Sequence, residues 1–242
     1  KSIDGGKTFK PISNPHTDQH HLWINPQNTD NIALANDGGA CITFNGGKTW
    51  STQQNQPTAQ FYRVIADNRF PYHVYAGQQD NSTVVISSRT PSSSIGWKDW
   101  YAVAGGESAF LAFDANNPRY VYGGSYQGNI SVFDHESGLT KDIMAYPVIG
   151  LGSIPADMKY RFNWNAPIVT SPQNRAVIYH AGNKVLKSTD RGQSWKEISP
   201  DLTRNDKEKQ VLGGAPFTIE GAGGENYGTI TYLVASPHEQ GV

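Results

Sequence analysis

Three segments of this chain share one eight-residue pattern. Residues 2–9 read SIDGGKTF, residues 43–50 read TFNGGKTW, and residues 188–195 read STDRGQSW. Each runs hydroxyl residue, any residue, Asp or Asn, any residue, Gly, any residue, hydroxyl residue, then Phe or Trp. The pattern predicts a tight hairpin. Asp4, Asn45 and Asp190 supply side-chain oxygens to backbone N–H groups two residues on. Gly6, Gly47 and Gly192 supply a left-handed conformation without a Cβ clash. Phe9, Trp50 and Trp195 close the hairpin and turn inward over it. These residues are read as structural.

A second element accompanies each hairpin: an apolar strand, a Pro- or Asn-rich turn, and another apolar strand. It is visible at residues 22–35, 64–77, 110–124 and 167–180, and begins again at 230–237. One such unit about every 45 residues, with four strands per unit, is the period of a β-propeller blade. The blade units fall at about residues 20–53, 62–103, 108–144 and 166–199, with a tail at 1–13 and a head at 228–242. The expected fold is all-β: a single β-propeller over residues 1–242, partial, with about five blades' worth of chain. The first residue is Lys1 with no leader after it, so the chain is expected to be a piece of something longer.

Composition removes several function classes. Lys and Arg total 20 against 21 Asp and Glu, a net charge of −1, which lacks the basic footprint of a nucleic-acid binder. No apolar run approaches the roughly 18 residues of a membrane span. The single cysteine, Cys41, rules out an internal disulfide or a multi-cysteine metal site. Gly213, Gly214 and the glycines of residues 221–224 follow no strand-to-helix junction, so no phosphate loop is implied.

The three hairpin motifs resemble the Asp-box, or BNR repeat, of sialidases, family 74 glycoside hydrolases and the sortilin (VPS10) propeller. Residues 16–50 and 160–206 are similar to secreted bacterial propellers grouped as glycosyl-hydrolase-like or sortilin-like. The resemblance implies a secreted, periplasmic or cell-surface setting. It implies a binding module with a glycan or peptide ligand in the central funnel, working with the remainder of a parent propeller. It requires no cofactor, although loop oxygens would suit Ca²⁺. Sialidase chemistry is not expected, because no Arg-Ile-Pro motif precedes a box and Arg161-Phe162 is followed by Asn163.

The turn after the second strand of each unit is polar: residues 36–39, 78–81, 125–129 and 181–184. Asn, Asp and Gly also serve there simply as turn formers. The resemblance to family 74 enzymes places a catalytic Asp at Asp37, and Asp80 holds the equivalent position one blade on. Glu107 is a third candidate. Inverting glycosidases need two carboxyl groups about 6.5–9.5 Å apart, so Asp37 and Asp80 form the candidate acid–base pair of a hydrolase reading. For ligand binding, the candidates are Trp97, Trp100 and Tyr101 in one long loop and Arg161, Asn163, Trp164 and Asn165 in another, with Gln79 and Asn81. The aromatics among them also suit inter-blade packing. His16, Asp18 and His20 share one face if residues 16–20 form a strand, a possible transition-metal set. Three readings stand: a binding module, an inverting glycoside hydrolase, and a protein–protein scaffold.

Overall fold

The computed structural model describes residues 1–56, 58–148, 150–212 and 226–242. The glycines at 213, 214 and 221–224 lie outside the described residues. The chain forms two compact units, residues 1–59 and 60–242. Among the described residues, regular helix is confined to single 3₁₀ turns such as Tyr126–Gly128. No helix of the described residues is long and apolar enough to cross a membrane.

The first unit is a three-stranded antiparallel meander of β1 (Gln19–Ile24), β2 (Ile32–Asn36) and β3 (Gly39–Thr43). β2 alternates strictly, with Ile32, Leu34 and Asn36 buried, the period expected of a strand with one covered face. The free thiol of Cys41 is buried, which pushes its pKa up.

The described residues of the second unit form three four-stranded antiparallel meanders. β4 (Phe61–Ala66), β5 (His73–Gln78), β6 (Thr83–Ser87) and β7 (Trp100–Tyr101) form the first. β8 (Leu111–Asp114), β9 (Asn117–Gly124), β10 (Ile130–Asp134) and β11 (Leu139–Asp142) form the second. β12 (Ile168–Thr170), β13 (Ile178–Ala181), β14 (Val185–Ser188) and β15 (Lys196–Glu197) form the third. The middle sheet is covered on both faces. Val121 of β9 joins Tyr75, Val85, Leu111 and Phe113 in one core layer, and the next residue, Tyr122, joins Ile130, Ile168 and Ile178 in another. β8 packs on β12, and β4, β8 and β12 line one cavity, so the first strands gather on the inner side. Consecutive meanders stacked face to face with their first strands innermost are blades of a β-propeller. Residues 230–235, expected to open another blade, form no strand ladder; Ile230 N donates to Gly182 O at 2.8 Å.

The three motif hairpins are built alike. The first hydroxyl accepts from the Gly N–H: Gly6 to Ser2 at 2.9 Å, Gly47 to Thr43 at 3.1 Å, Gly192 to Ser188 at 2.7 Å. The Asp or Asn oxygen accepts from the backbone N–H four residues on, not two: Thr8 to Asp4 at 2.9 Å, Thr49 to Asn45 at 3.0 Å, Ser194 to Asp190 at 2.9 Å. Bonds from the side chain and backbone of Thr8, then from Ser2, hold Asp4 at a pKa of about 2, and Asp190 is held at about 2 by the equivalent bonds from Ser194 and Ser188.

The closing aromatic differs among the three. Trp195 packs on two core layers and donates from Nε1 to the buried Ile143 carbonyl at 2.8 Å. Trp50 donates to Ser13 O at 2.9 Å. Phe9, expected to turn inward, is instead 75% exposed, and it has no N–H to anchor it. Trp195→Phe keeps the ring but strands the Ile143 carbonyl. Its expected cost is about 1–3 kcal/mol in urea unfolding. Trp50→Phe, whose partner Ser13 is exposed, should cost less.

Candidate functional site

One rim of the second unit gathers polar chain from two kinds of position. The turns after second strands arrive there, and so do the lead-ins to first strands. Gln79 and Asp80 follow β5, Glu107 precedes β8, Tyr126 follows β9, and Asn163, Trp164 and Asn165 precede β12.

These residues form one bonded chain. Glu107 Oε2 accepts from Asp80 N at 3.0 Å and from Gln79 Nε2 at 3.1 Å. Gln79 Nε2 also donates to Asp80 Oδ1 at 2.7 Å, so a single amide bridges the two carboxylates. Asp80 sits at φ +62°, which turns its N–H toward Glu107. The Tyr62 hydroxyl donates to Gln79 Oε1 and accepts from Trp164 Nε1, the latter at 2.8 Å. Trp164 stacks on Tyr126, with centroids 5.1 Å apart and planes 11° apart. Asn165 Nδ2 donates to Ser108 O at 2.7 Å while its Oδ1 accepts from Arg63 Nε at 2.8 Å. Asn163 Nδ2 donates to Thr229 Oγ1 at 3.2 Å, and Asn81 Nδ2 bonds back to Gln79 O at 3.2 Å. Gln79, Asp80, Glu107, Tyr126, Trp164 and Asn165 are all half-buried, so the network reaches solvent.

Next to it, the first strands β4, β8 and β12, with residues 232–235, line a cavity of about 630 Å³. Arg63 lies in its wall, with its guanidinium 4.6 Å from the Phe110 ring centroid and 5.3 Å from that of Tyr232. An arginine on aromatic faces in a largely apolar cavity supplies a fixed positive charge.

Other expected residues lie elsewhere. Arg161 is 3% exposed and spent on structure: Nη2 donates to Asp201 at 2.8 Å and Thr203 at 3.2 Å, and Nε to Gly228 O at 3.3 Å. Burial works to raise the Asp201 pKa, but the bonds from Asn183, Thr203 and Arg161 win and hold it well below the usual range. Trp97 opens the 3₁₀ turn Trp97–Asp99 that leads into β7, and Trp100 and Tyr101 form that strand, the last of its sheet, away from the first strands. Trp97 is 67% exposed, and Tyr101 bonds His135 Nε2 at 3.0 Å.

Asp37 belongs to the first unit and Asp80 to the second, and each is placed by its own unit. Asp37 Oδ1 pairs with His20 Nε2 at 2.5 Å. The cause is a register shift between Gln19 and His21, where β1 pairs with β2. β1 starts only at Gln19, so the alternating-face argument for His16, Asp18 and His20 does not apply. His16 Nδ1 lies 3.1 Å from Thr17 O, and Asp18 takes φ +52°. Among the described residues no three His, Cys, Asp or Glu side chains form a group able to hold a metal ion.

Tyr62, Arg63 and Tyr126 belong to the rim site but carry no motif. The first two begin an ordinary-looking strand, and the third sits inside a turn that reads as a hairpin connection.

No family model matches this chain, and no curated protein matches it. Among solved structures it is similar to the GH74 xyloglucanase from Xanthomonas campestris, at 16% identity and TM-score 0.40, over 76% of this chain and 30% of that one. It is similar to YCF48 bound to D1 peptide, at 14% identity and TM-score 0.38, over 81% of this chain and 59% of that one. It is also similar to an auxiliary nutrient binding protein from Bacteroides thetaiotaomicron, at 11% identity and TM-score 0.36, over 77% of this chain and 43% of that one. The chain thus spans less than two thirds of the length of each.

Proposed function

We propose that this chain is a propeller recognition module that binds a glycan on the rim where β4, β8 and β12 begin, as part of a larger protein acting outside the cytoplasm. The observation that supports this best is the stacked Tyr126–Trp164 pair, joined through Tyr62 and Gln79 to the Asp80–Glu107 carboxylates. Sugars offer an apolar C–H face and a ring of hydroxyls. An aromatic platform beside bonded amides and carboxylates answers both. Binding on this rim needs no cofactor.

A second reading, hydrolysis, has its own support. Asp80 and Glu107 both accept from one amide nitrogen, so their oxygens lie closer together than the roughly 6.5–9.5 Å of an inverting pair. That favours Asp80 with Glu107 over Asp37 with Asp80, and a nucleophile-type over a water-type mechanism.

A panel of polysaccharides, scored for both binding and release of reducing ends, separates the two. Binding without release is the expected result, and Trp164→Ala should weaken it about tenfold. Release that vanishes in Asp80→Asn or Glu107→Gln would replace recognition by hydrolysis. No binding to any glycan, with capture of a peptide that Trp164→Ala also weakens, would keep the rim as a site but change its ligand.

A further inference from the structure

The turn Tyr126–Gly128 serves two places. Tyr126 stacks on Trp164 in the rim site. Gln127, at φ +63°, lines a separate cleft of about 310 Å³ together with Tyr146, Met158, Lys159, Tyr160 and Phe162. None of these residues belongs to the rim network.

Gln127 is only 5% exposed, and its Nε2 has no hydrogen-bond partner among the described residues. A buried amide N–H without an acceptor is costly, and a ligand oxygen on it removes that cost. The wall beside it is apolar. A Cβ placed on Gly150 would lie 3.0 Å from Met158 Cε and 3.2 Å from Gln127 Oε1, so a thioether methyl and a carboxamide share one surface. Phe162 is 5% exposed and completes the floor. At the mouth, the Tyr146 and Tyr160 rings stand at 89° with centroids 6.0 Å apart. Lys159 Nζ lies 4.6 Å from the first centroid and 5.2 Å from the second. Asp157 and Ser153, both exposed, add polar groups there.

We propose that this cleft is a second ligand site, one that takes the acetamido group of an N-acetylated sugar. The Gln127 amide, whose Nε2 is closed to solvent and whose Oε1 faces Gly150, turns over so that the acetamido carbonyl accepts from Nε2. Its methyl lies against Met158 and Phe162. The pyranose ring lays its C–H face on Tyr146, which is 39% exposed, and its hydroxyls meet Lys159 and Asp157. An acetyl carbon carries an acceptor and a methyl side by side, which is the pairing this wall presents. A plain hexose has nothing for the methyl surface. A carboxylate would gain Lys159 but face Asp157.

Saturation-transfer NMR on the full chain tests this with N-acetylglucosamine, glucosamine, glucose and the methyl ester of Nε-acetyl-lysine. The expected result is saturation of the acetyl methyl of N-acetylglucosamine and affinity about tenfold above glucose and glucosamine. Gln127→Glu keeps the volume but puts an acceptor where the donor was, and should weaken binding about 10- to 100-fold. Tyr146→Ala removes an exposed ring and should weaken it about tenfold, with an unchanged circular dichroism spectrum. Equal signals from glucose and N-acetylglucosamine, or full affinity in both variants, would overturn the proposal. So would binding of the acetyl-lysine ester alone, which would make the cleft a reader of acetylated peptide. Trp164→Ala probes the rim and Gln127→Glu the cleft, so each site fails or stands by itself.

Discussion

Gly123→Ala should cost the second unit about 3 kcal/mol or more in urea unfolding followed by tryptophan fluorescence. A methyl there would lie 2.1 Å from the Ala104 carbonyl oxygen, 2.4 Å from its carbon and 2.8 Å from Gly105 N. All three are backbone atoms, so no rotamer change relieves the overlap. The contact is structural in the strict sense: it is where the lead-in to β8 crosses the end of β9. Gly138→Ala is the control. Its Cβ would meet nothing within 4 Å, and at φ +71° it carries only the left-handed penalty, about 1–2 kcal/mol. A Gly123 variant no less stable than the Gly138 variant would mean that the lead-in to β8 does not approach β9 this closely in solution.

Acid should weaken the fold well before the carboxylates titrate. His180 on β13 is fully buried, with Nδ1 3.0 Å from Pro167 O and its ring stacked 4.7 Å from that of Phe162. Burial lowers its pKa from 6.5 to about 4, against a smaller opposing pull from the Pro167 and Gly128 backbone. The unfolded chain therefore binds a proton that the folded chain refuses. Stability is complete above about pH 6.5 and falls as pH drops toward 4, by about 3 kcal/mol in all. His73 shifts in the same direction, chiefly through burial, and adds to the slope. Urea midpoints taken across that window should slope down with acid, and His180→Phe should flatten most of the slope. An unchanged slope in the variant would show that His180 is solvated.

What the sequence discloses depends on how local the responsible physics is. The motif hairpins are legible because every bond that shapes them lies inside eight residues. The rim is half legible. Gln79, Asp80, Glu107, Trp164 and Asn165 stand out as polar or aromatic residues in connections, but nothing in the sequence says that these connections meet. Tyr62 and Arg63 are hidden, because the start of an inner strand has the same pattern as the start of any strand. Trp97, Trp100 and Tyr101 illustrate the reverse problem. A long loop next to a last strand has the same composition as one next to a first strand, and only the stacking of sheets tells them apart. Arg161 looks like a ligand-binding cation, yet its partners Asp201, Thr203 and Gly228 lie 40 to 67 residues away. The His16, Asp18 and His20 face fails for the smallest reason, a strand that begins three residues late and carries a register shift.

The likeness of the three hairpins has a kinetic meaning. The bonds that close each turn join residues at most four apart, so closing them requires no distant chain to arrive first. Such hairpins form within about 1–10 μs, far ahead of sheet stacking. At Ser188 and Thr43 the hairpin starts where a strand ends, so its early closure commits that strand to its register before any neighbouring blade exists. The sheets β4–β7 and β8–β11 carry no such motif hairpin, and their register leans more heavily on burial. The order of assembly is therefore written unevenly along the chain, with the clipped strands as its earliest fixed points and the middle sheet, the most deeply sandwiched, as its latest.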